Sequence, residues 1–375
     1  MLQTSNHKRE STSGRLALKV LLIGLVVGAF GTSRPTFAQE SGQKTFSSPT
    51  AAADALAAAA KKHDNQEMLA VLGHSGQELI YSGDRVADKA NNDRFVEKYH
   101  EMHRFAATGS GRMILYIGAE NWPVAIPLKK SGTQWYFDTA YGKQEVLYRR
   151  IGSNELNVIK VCQEIVNGEH EYYAASHDGD SVHQYAQKFR STPGKQDGLY
   201  WEVKSDGQPE SPLGPLVAEA ASEGYKHHAH HAAGQPRPFH GYVYRLLTRQ
   251  GAAAHGGAQD YIVDGKMTGG FALLAYPVRY RDSGVMTFVV NQDGQIYQKD
   301  LGPRTSQIAS EMVEYNPDDT WQPVQGTENT NISDIRGWKD AGALSPGYLA
   351  LHVARASSLY ISVVDSNSGE SGRRA

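Results

Sequence analysis

The chain has 375 residues, a length that favours two domains over one. Basic and acidic residues nearly balance, and the formal net charge is −2, so no global excess of positive charge points to nucleic acid or to an anionic membrane. Hydrophobic residues make up 40% of the chain and glycine is frequent, a composition typical of a folded protein with many turns rather than a disordered one.

The N-terminal segment has the pattern of a secretory signal peptide. Lys8, Arg9 and Lys19 precede an apolar run from Val20 to Phe30 that is short for a membrane-spanning helix. Small residues lead to Ala38, so we expect residues 1–38 to be removed after Ala38 and the protein to be periplasmic or secreted. The alternative is an uncleaved anchor. We expect no stable membrane span after cleavage.

Cys162 is the single cysteine of the chain. An exported protein with one cysteine has no internal disulfide. The residue falls on the apolar stripe of a predicted helix, which favours a buried and inert thiol over a reactive one.

The region after a flexible lead-in (39–48) predicts a small N-terminal α+β domain over residues 49–142. Ser48 and Pro49 are typical of a helix start, and Gly73 of a helix end. A second helix is predicted from Asn92 to Phe105, and strands over 112–117, 124–129 and 134–138. This order of elements resembles the cone-shaped fold of nuclear transport factor 2 and ketosteroid isomerase, which often encloses a cavity.

The stretch 135–173 predicts a strand followed by a long amphipathic helix. Its apolar residues recur at intervals of three, four and seven positions: Leu147, Ile151, Val158, Cys162, Ile165 and Tyr172. Gly152 weakens the helix, so a bend at Gly152-Ser153 is expected, with Ser153 or Asn154 capping the part that follows.

Residues 143–325 predict a second α+β domain with the long helix packed on an antiparallel sheet. Strands are expected over 241–248, 271–276, 285–291 and 296–300, with a hairpin turn at Asp293-Gly294. A shorter helix over 181–189 and a short strand over 199–203 are also predicted. Polarity rises from about Gly326, so 326–375 is expected to be a disordered or loosely attached tail. The fold class is therefore α+β.

Several runs resemble an exported bacterial family catalogued as a domain of unknown function, family 2950. They are WYFDTAYGKQEVLYRRIGSNEL from Trp135, DGLYW from Asp197, SPLGPL from Ser211, DYIVDGKMTGGFALLAYP from Asp260 and VNQDGQIYQKDLG from Val290. The resemblance spans about Phe46 to Trp321. It implies a secreted or periplasmic protein of Gram-negative bacteria and carries no known reaction.

The second half is also similar to the soluble head of type IV pilins and pseudopilins. The similarity rests on the run Asn154–Tyr173, on GYVYRL from Gly241, on Ala275-Tyr276-Pro277 and on Asp293-Gly294. It implies a long helix on a four-stranded antiparallel sheet. Arg149 and Arg150 stand where a pilin needs apolar residues, so the resemblance implies the head fold without pilin-type fibre formation.

A histidine cluster is the main candidate for metal binding. His227, His228, His230 and His231 have spacings that suit Zn²⁺, Ni²⁺ or Cu²⁺, and His240 follows nearby. The alternative is a solvated loop with adventitious affinity. A second candidate is the pair His100 and His103 on one helical face, with Glu97 one turn before; a plain surface face is the alternative there.

The residues around the start of the long helix form a predicted structural junction: Trp135, Asp138, Arg149, Arg150, Asn154 and Glu155. Two carboxylates could perform acid–base catalysis. The structural interpretation is favoured: Asp138 would cap the turn near Gly142, and Glu155 would pair with Arg149 or Arg150. Aromatic residues near turns, such as Trp122 and Tyr141, would either fill core corners or rim a sugar- or peptide-binding groove.

No phosphate loop, nucleophile elbow or zinc-protease motif occurs in the chain, and no cofactor is implied. We therefore favour a non-enzymatic binding or assembly module whose partner is an envelope protein or a small ligand. The alternatives are a ligand carrier or envelope enzyme that uses a cavity in the first domain, and metal handling by the loop His227–His231.

Overall fold

The computed structural model describes residues 39–108, 110–204, 207–225 and 238–324. The predicted signal peptide, the cluster His227–His231 and the predicted tail therefore lie outside the described residues. Within the described part, no helix combines the length and the apolar character needed to cross a membrane.

The first half of the described chain consists of helices followed by antiparallel strands. The helices are α1 (Pro49–Lys61), α2 (Asn65–Leu72), α3 (Gln77–Ile80) and α4 (Arg85–Glu101), and the strands are β1 (His103–Ala107), β2 (Arg112–Ile117), β3 (Trp122–Pro123), β4 (Leu128–Ser131) and β5 (Gln134–Phe137). The sheet order is β1-β2-β4-β5, with β3 also paired to β2. The predicted order of helices and then antiparallel strands is confirmed.

Local signals set the ends of the first two helices. The Ser48 hydroxyl accepts a hydrogen bond from the Ala51 amide at 3.0 Å, and Pro49 occupies the first turn of α1. Gly73 ends α2 at φ 83°, a conformation that side chains with a Cβ rarely adopt. Both predicted boundaries are confirmed.

The prediction for α4 is wrong at both ends. The helix starts seven residues before Asn92 because Asp84 caps it, with side-chain bonds to the Val86 and Ala87 amides at 3.1 Å. Tyr99 is the one residue of α4 that is fully buried, so the helix has almost no apolar periodicity to reveal its first turns. The chain becomes extended at Met102, and strand β1 occupies part of the region predicted as helix.

The interior of the first half is filled by side chains. Leu128 and Phe137 are fully buried against residues of α1 and α2, and Leu115 is fully buried in a second cluster with Tyr99. Leu128 pairs with Phe137 across β4 and β5. The space that a cone-shaped fold would leave for a ligand between these elements is thus occupied by the core.

Helix α5 (Thr139–Tyr173) is continuous over 35 residues, so the predicted bend at Gly152-Ser153 is wrong. A glycine costs a helix only about 1 kcal/mol relative to alanine. Arg150 and Asn154, on either side of Gly152, are both bonded to other parts of the protein, and these tertiary contacts outweigh the local preference.

The second half contains the remaining described elements: α6 (Gly214–Ser222), β6 (Tyr242–Leu247), β7 (Arg249–Gln250), β8 (Gln259–Asp260), β9 (Ile262–Val263), β10 (Lys266–Met267), β11 (Ala272–Pro277), β12 (Met286–Asn291), β13 (Tyr297–Asp300), α7 (Thr305–Glu311), β14 (Glu314–Tyr315) and β15 (Gln322–Pro323). The main sheet is antiparallel, in the order β15-β13-β12-β11-β6. The hairpin turn between β12 and β13 contains Gly294 at φ 79°, as the Asp-Gly signal predicts.

Helix α5 packs on this sheet. Cys162 and Ile165 are buried in the same apolar cluster as Leu273 of β11 and Phe288 of β12. The predicted arrangement of a long helix on four antiparallel strands is confirmed, as is the α+β class. Since α5 runs without a break through the expected boundary at residue 142, the division into two domains stays a prediction.

The predicted helix 181–189 and strand 199–203 are absent: between α5 and α6 the described residues form only isolated bridges. Some backbone amides here form local turns, but those at the centre of the predicted helix bond to distant acceptors. The Tyr185 amide donates to the Met267 carbonyl at 2.9 Å, and the Ala186 amide to the Glu169 carboxylate at 2.8 Å. These long-range bonds leave no local helix ladder.

Candidate functional site

Three of the predicted junction residues on α5, namely Arg150, Asn154 and Glu155, contact the β11–β12 loop (278–285) or the first residue of β12. Arg150 forms a salt bridge with Asp282, and its guanidinium also donates to the Glu78 and Leu79 carbonyls at 2.9 and 2.6 Å. Arg279, in the same loop, adds a second cation 3.3 Å from Asp282. Arg150 therefore connects helix α3 to the β11–β12 loop of the second half.

Asn154 and Glu155 continue this contact one turn further along α5. The Asn154 amide donates to the Ser283 carbonyl at 2.8 Å. Glu155 accepts from the backbone amides of Val285 and Met286, both at 2.9 Å. Burial raises the pKa of Glu155, and the two backbone donors oppose that rise. The expected pairing of Glu155 with an arginine is wrong, because its carboxylate faces the start of β12.

Two glycines allow this close approach. A Cβ at Gly284 would overlap the hydroxyl of Tyr242, which itself donates to the Met286 carbonyl at 2.9 Å. A Cβ at Gly241 would lie 2.6 Å from the Asn154 amide nitrogen, and Gly241 has φ 74°. Backbone, side chain and glycine positions together fix the loop against α5.

Asp138 has a different partner from the one expected. Its side chain makes no capping bond at the start of α5 and forms a salt bridge with Arg112 at 2.9 Å, where it is almost fully buried. The Arg112 guanidinium also lies 4.0 Å above the centre of the Tyr141 ring. Trp135 forms a backbone bridge with Phe46. The two carboxylates considered for acid–base work thus serve separate contacts.

Arg149 has different partners from Arg150 and contacts strand β3. It pairs with Glu145 at 2.8 Å, donates to the Pro123 carbonyl at 2.8 Å and lies 5.3 Å from the centre of the Trp122 ring. Beside it, Tyr148 is 49% exposed. This part of α5 presents aromatic and arginine side chains to solvent.

Asp84 is a buried carboxylate that sequence reasoning missed. One oxygen caps α4, and the other accepts from the Tyr225 hydroxyl at 2.8 Å and from the Gly241 amide at 3.0 Å. His240 lies next to this contact, and burial lowers the pKa of its imidazole. The position of Asp84 before a run of helix formers signalled the cap; its second set of partners is too distant in sequence to infer.

Glu169 is a second missed carboxylate. It lies four residues after Ile165 and seven after Cys162, which places it on the apolar stripe of α5. It is fully buried, one oxygen accepts from the Ala186 amide, and the other has no hydrogen-bond partner among the described residues. Burial raises the pKa of this carboxyl to about 8.

The candidate metal residues are not brought together in the described part. His103 lies in strand β1, stacked on Tyr99 at 4.2 Å, so it no longer shares a helical face with His100. The described residues contain no group of three or more histidine, cysteine or acidic side chains suited to a metal ion. His227, His228, His230 and His231 stay a prediction outside these residues.

An open groove of about 260 Å³ lies on the main sheet, away from the predicted cavity of the first half. It is lined by Val289, Met312, Val313, Glu314, Asn316 and Trp321. Its polar groups are already engaged, because Glu314 pairs with Arg249 at 3.1 Å and Asn316 accepts from the Ala253 amide at 2.8 Å. The groove therefore offers an apolar surface rather than a set of converging catalytic groups.

Cys162 is fully buried, and burial raises the pKa of its thiol far above the usual range. Glu155 is bonded to backbone amides and Asp138 is ion-paired. Like the buried thiol of Cys162, these groups hold elements of the fold in place. What they can do chemically is to fix the loop 278–285 and the start of α4 relative to α5.

Comparison with known proteins gives one relationship. Residues 43–324 match the family described as "Protein of unknown function (DUF2950)", and the match covers most of the chain, including every element from α1 to β15. Neither the curated proteins nor the solved structures contain a match to this chain. The chain belongs to the DUF2950 family.

Proposed function

We propose that this protein is an exported, non-enzymatic binding or assembly module that recognises a polypeptide partner of the cell envelope. The observation that carries the proposal is a surface at the first turns of α5, here called the aromatic surface, which consists of Arg112, Trp122, Tyr141, Tyr148 and Arg149. Tyr141 and Tyr148 are the two most exposed tyrosines of the described chain, at 53% and 49%.

The members of the aromatic surface are adjacent. Tyr141 and Tyr148 lie seven positions apart on α5, on nearly the same helical face. Arg112 lies over the ring of Tyr141, and Arg149 reaches the ring of Trp122. Tyrosine, tryptophan and arginine are the residues enriched among those that dominate protein–protein binding energies. A polypeptide is therefore the partner that this composition favours.

The aromatic surface is also held rigidly. The buried Asp138 carboxylate fixes Arg112, and the Glu145 carboxylate and the Pro123 carbonyl fix Arg149. Gly142 lets α5 approach the Ala125 backbone so closely that a Cβ would lie 2.5 Å from that carbonyl oxygen. A surface ordered before binding loses less conformational entropy on association. The pilin-head resemblance of the second half is consistent with an assembly role and forms part of the same proposal.

Photo-crosslinking in intact cells tests the proposal. The photoreactive amino acid p-benzoylphenylalanine replaces Tyr148 in one variant and Val263 in another; Val263 is 50% exposed and lies in β9. We expect one discrete ultraviolet-dependent adduct from position 148, weakened when Tyr141→Ala is added, and none from position 263. Absence of an adduct at 148, or the same products from both positions, contradicts a binding role for the aromatic surface.

Export has its own test. We propose that the signal peptide is removed after Ala38, on the basis of the basic and apolar runs that precede it. Mass spectrometry of the protein from fractionated cells should find a mature chain that starts at Gln39 in the periplasmic or extracellular fraction. A chain that keeps Met1 and stays in the cytoplasm would overturn the proposed location.

A further inference from the structure

Helix α5 carries its buried acid, Glu169, beneath an irregular segment of 28 residues, here called the cover segment (174–201). This segment crosses the end of α5 with isolated bridges as its sole regular structure. Long segments without helix or strand are uncommon in compact folds and are often functional. The Ala186 amide of the cover segment donates to Glu169 at 2.8 Å, and both residues are almost fully buried.

The surroundings of Glu169 do not suit a negative charge. No lysine or arginine of the described chain pairs with it, and its second oxygen has no hydrogen-bond partner there. A buried carboxylate with one amide donor is far less stable than the neutral acid. The elevated pKa of Glu169, about 8, agrees with this geometry.

The titratable groups nearby do not supply a positive charge either. From α5, Tyr172 lies one turn away and donates its hydroxyl to the Gln196 carbonyl at 2.7 Å. From the cover segment, Tyr185 packs on Phe271 at 4.9 Å. The pKa values of both tyrosines are raised by burial first and then by neighbouring negative charges, among them Asp178 for Tyr172.

The other titratable groups on the adjoining elements include histidines, acids and Lys188. His177 stacks on Tyr172 at 3.9 Å and bonds to the Tyr172 carbonyl, while its Nδ1 is buried without a partner in the described structure. His170, on α5, bonds to the Gln292 carbonyl. Asp197 of the cover segment and Asp293 of the β12–β13 turn act on Tyr172 and Tyr185 respectively as further negative charges. Asp197 is itself paired with Lys188 at 2.8 Å, so it is the burial of Glu169, opposed by a single amide donor, that favours the proton on its carboxyl.

We propose that Glu169 is a proton-dependent latch. Its neutral carboxyl holds the cover segment on α5, and loss of the proton shifts the equilibrium towards an open form in which the segment is detached from α5. The charged form gains solvation when the segment opens, because in the closed form it has a single amide donor. Opening would expose Tyr172, Leu199 and Trp201, which are buried in the same apolar cluster. The latch thus couples pH to the exposure of an apolar face of α5.

The direction of the pH effect follows from linkage. An acid whose pKa is higher in the closed form than in the open form stabilises the closed form fully below the open-form value, near 4.5, and loses this contribution as pH rises to about 8. The opening equilibrium constant should therefore rise about tenfold for each pH unit between roughly 5 and 7.5, and level off above about 8.

Hydrogen exchange provides the test. Protection factors of the Ala186 amide, corrected for the intrinsic effect of pH, are measured from pH 5 to 9 in the wild-type protein, in Glu169→Gln and in the matched control Glu171→Gln, whose residue is exposed. We expect the wild type and Glu171→Gln to lose about tenfold protection per pH unit, and Glu169→Gln to lose none.

Wild-type protection that does not change with pH overturns the latch, as does a pH slope that persists in Glu169→Gln. If Glu169→Gln fails to fold, the wild-type measurements still test the latch. The latch requires that the protection of the Ala186 amide falls with rising pH and that this loss levels off near pH 8. The fluorescence of Trp201 is recorded in parallel, and it should show that this side chain becomes exposed to water over the same pH range. Exposure of Trp201 that does not change with pH also refutes the proposal.

Discussion

Arg150→Met is the substitution that most sharply tests the structural role of the junction residues on α5. The side chains of Arg150 and Asp282 are each 11% exposed, so the pair is mostly removed from solvent. Methionine keeps the aliphatic length of arginine but removes the charge and three hydrogen bonds, to Asp282, Glu78 and Leu79. The substitution therefore leaves two backbone carbonyls and one carboxylate short of a donor.

The magnitude follows from these contacts. Breaking a buried ion pair by removing one partner costs about 3–5 kcal/mol. Arg279 still lies 3.3 Å from Asp282, which places the loss at the lower end, about 3 kcal/mol. Burial raises the pKa of Asp282 and Arg150 opposes that rise, so the same substitution should raise the pKa of Asp282 further.

The neighbouring arginine provides the control. Arg149 pairs with Glu145, whose side chain is 53% exposed, and such surface pairs contribute about 0–1 kcal/mol. Equilibrium urea unfolding followed by tryptophan fluorescence should give a loss of about 3 kcal/mol for Arg150→Met and about 1 kcal/mol or less for Arg149→Met. Equal losses in the two variants, or a loss below about 1 kcal/mol for Arg150→Met, would refute the assigned role.

Three further predictions concern the buried groups around this junction. Asp84→Ala should lower the free energy of unfolding by about 2–4 kcal/mol, because it removes the α4 cap and leaves the Gly241 amide unpaired. Asp84→Asn should lower it by less, and urea unfolding measures both variants. Gly284→Ala should cost about 1–3 kcal/mol through overlap with the buried Tyr242 hydroxyl, and Tyr242→Phe in the same chain should recover part of it; equal stability of the single and double variants would contradict this contact. Cys162 should react with a neutral thiol reagent at least roughly a thousandfold more slowly than in the urea-unfolded chain, and a fast native reaction would contradict its burial.

The periodic and turn signals of the sequence were sufficient for the parts of the fold that depend on local chemistry. The part of the stripe from Val158 to Tyr172 predicted the face of α5 that packs on the main sheet. The Asp293-Gly294 pair predicted the hairpin of β12 and β13. Ser48 and Pro49 predicted the start of α1. In each case the deciding interactions lie within a few residues of one another.

Predictions failed where distant contacts decide the structure. The partners of Glu155 lie 130 and 131 positions away, so its pairing could not be inferred from the neighbouring arginines. The expected bend at Gly152 is absent because bonds to remote loops hold the helix on both sides. The expected helix 181–189 is absent because the Ala186 amide bonds to Glu169 rather than to a residue one turn earlier.

The candidate site residues also divide into those that local sequence signals reveal and those that depend on distant contacts. The sequence placed Trp135, Asp138 and Arg150 at a structural junction, but their individual partners needed the fold. Glu169 could have been noticed as the acid on the apolar stripe of α5, since helical spacing alone puts it there. Its lack of a second hydrogen-bond partner depends on how the cover segment packs, which periodicity does not determine.

The measurement that tests the central claim most directly is the affinity of the polypeptide captured by the Tyr148 adduct. Once mass spectrometry has identified it, calorimetry with the purified partner compares the wild type with the double variant Tyr141→Ala/Tyr148→Ala, and with Arg150→Met as a control outside the aromatic surface. Loss of exposed aromatic anchors should weaken binding at least about tenfold, which corresponds to about 1.4 kcal/mol, while Arg150→Met at a temperature where it is folded should bind as the wild type does. Unchanged affinity in the double variant would contradict the proposal that the aromatic surface is the binding site.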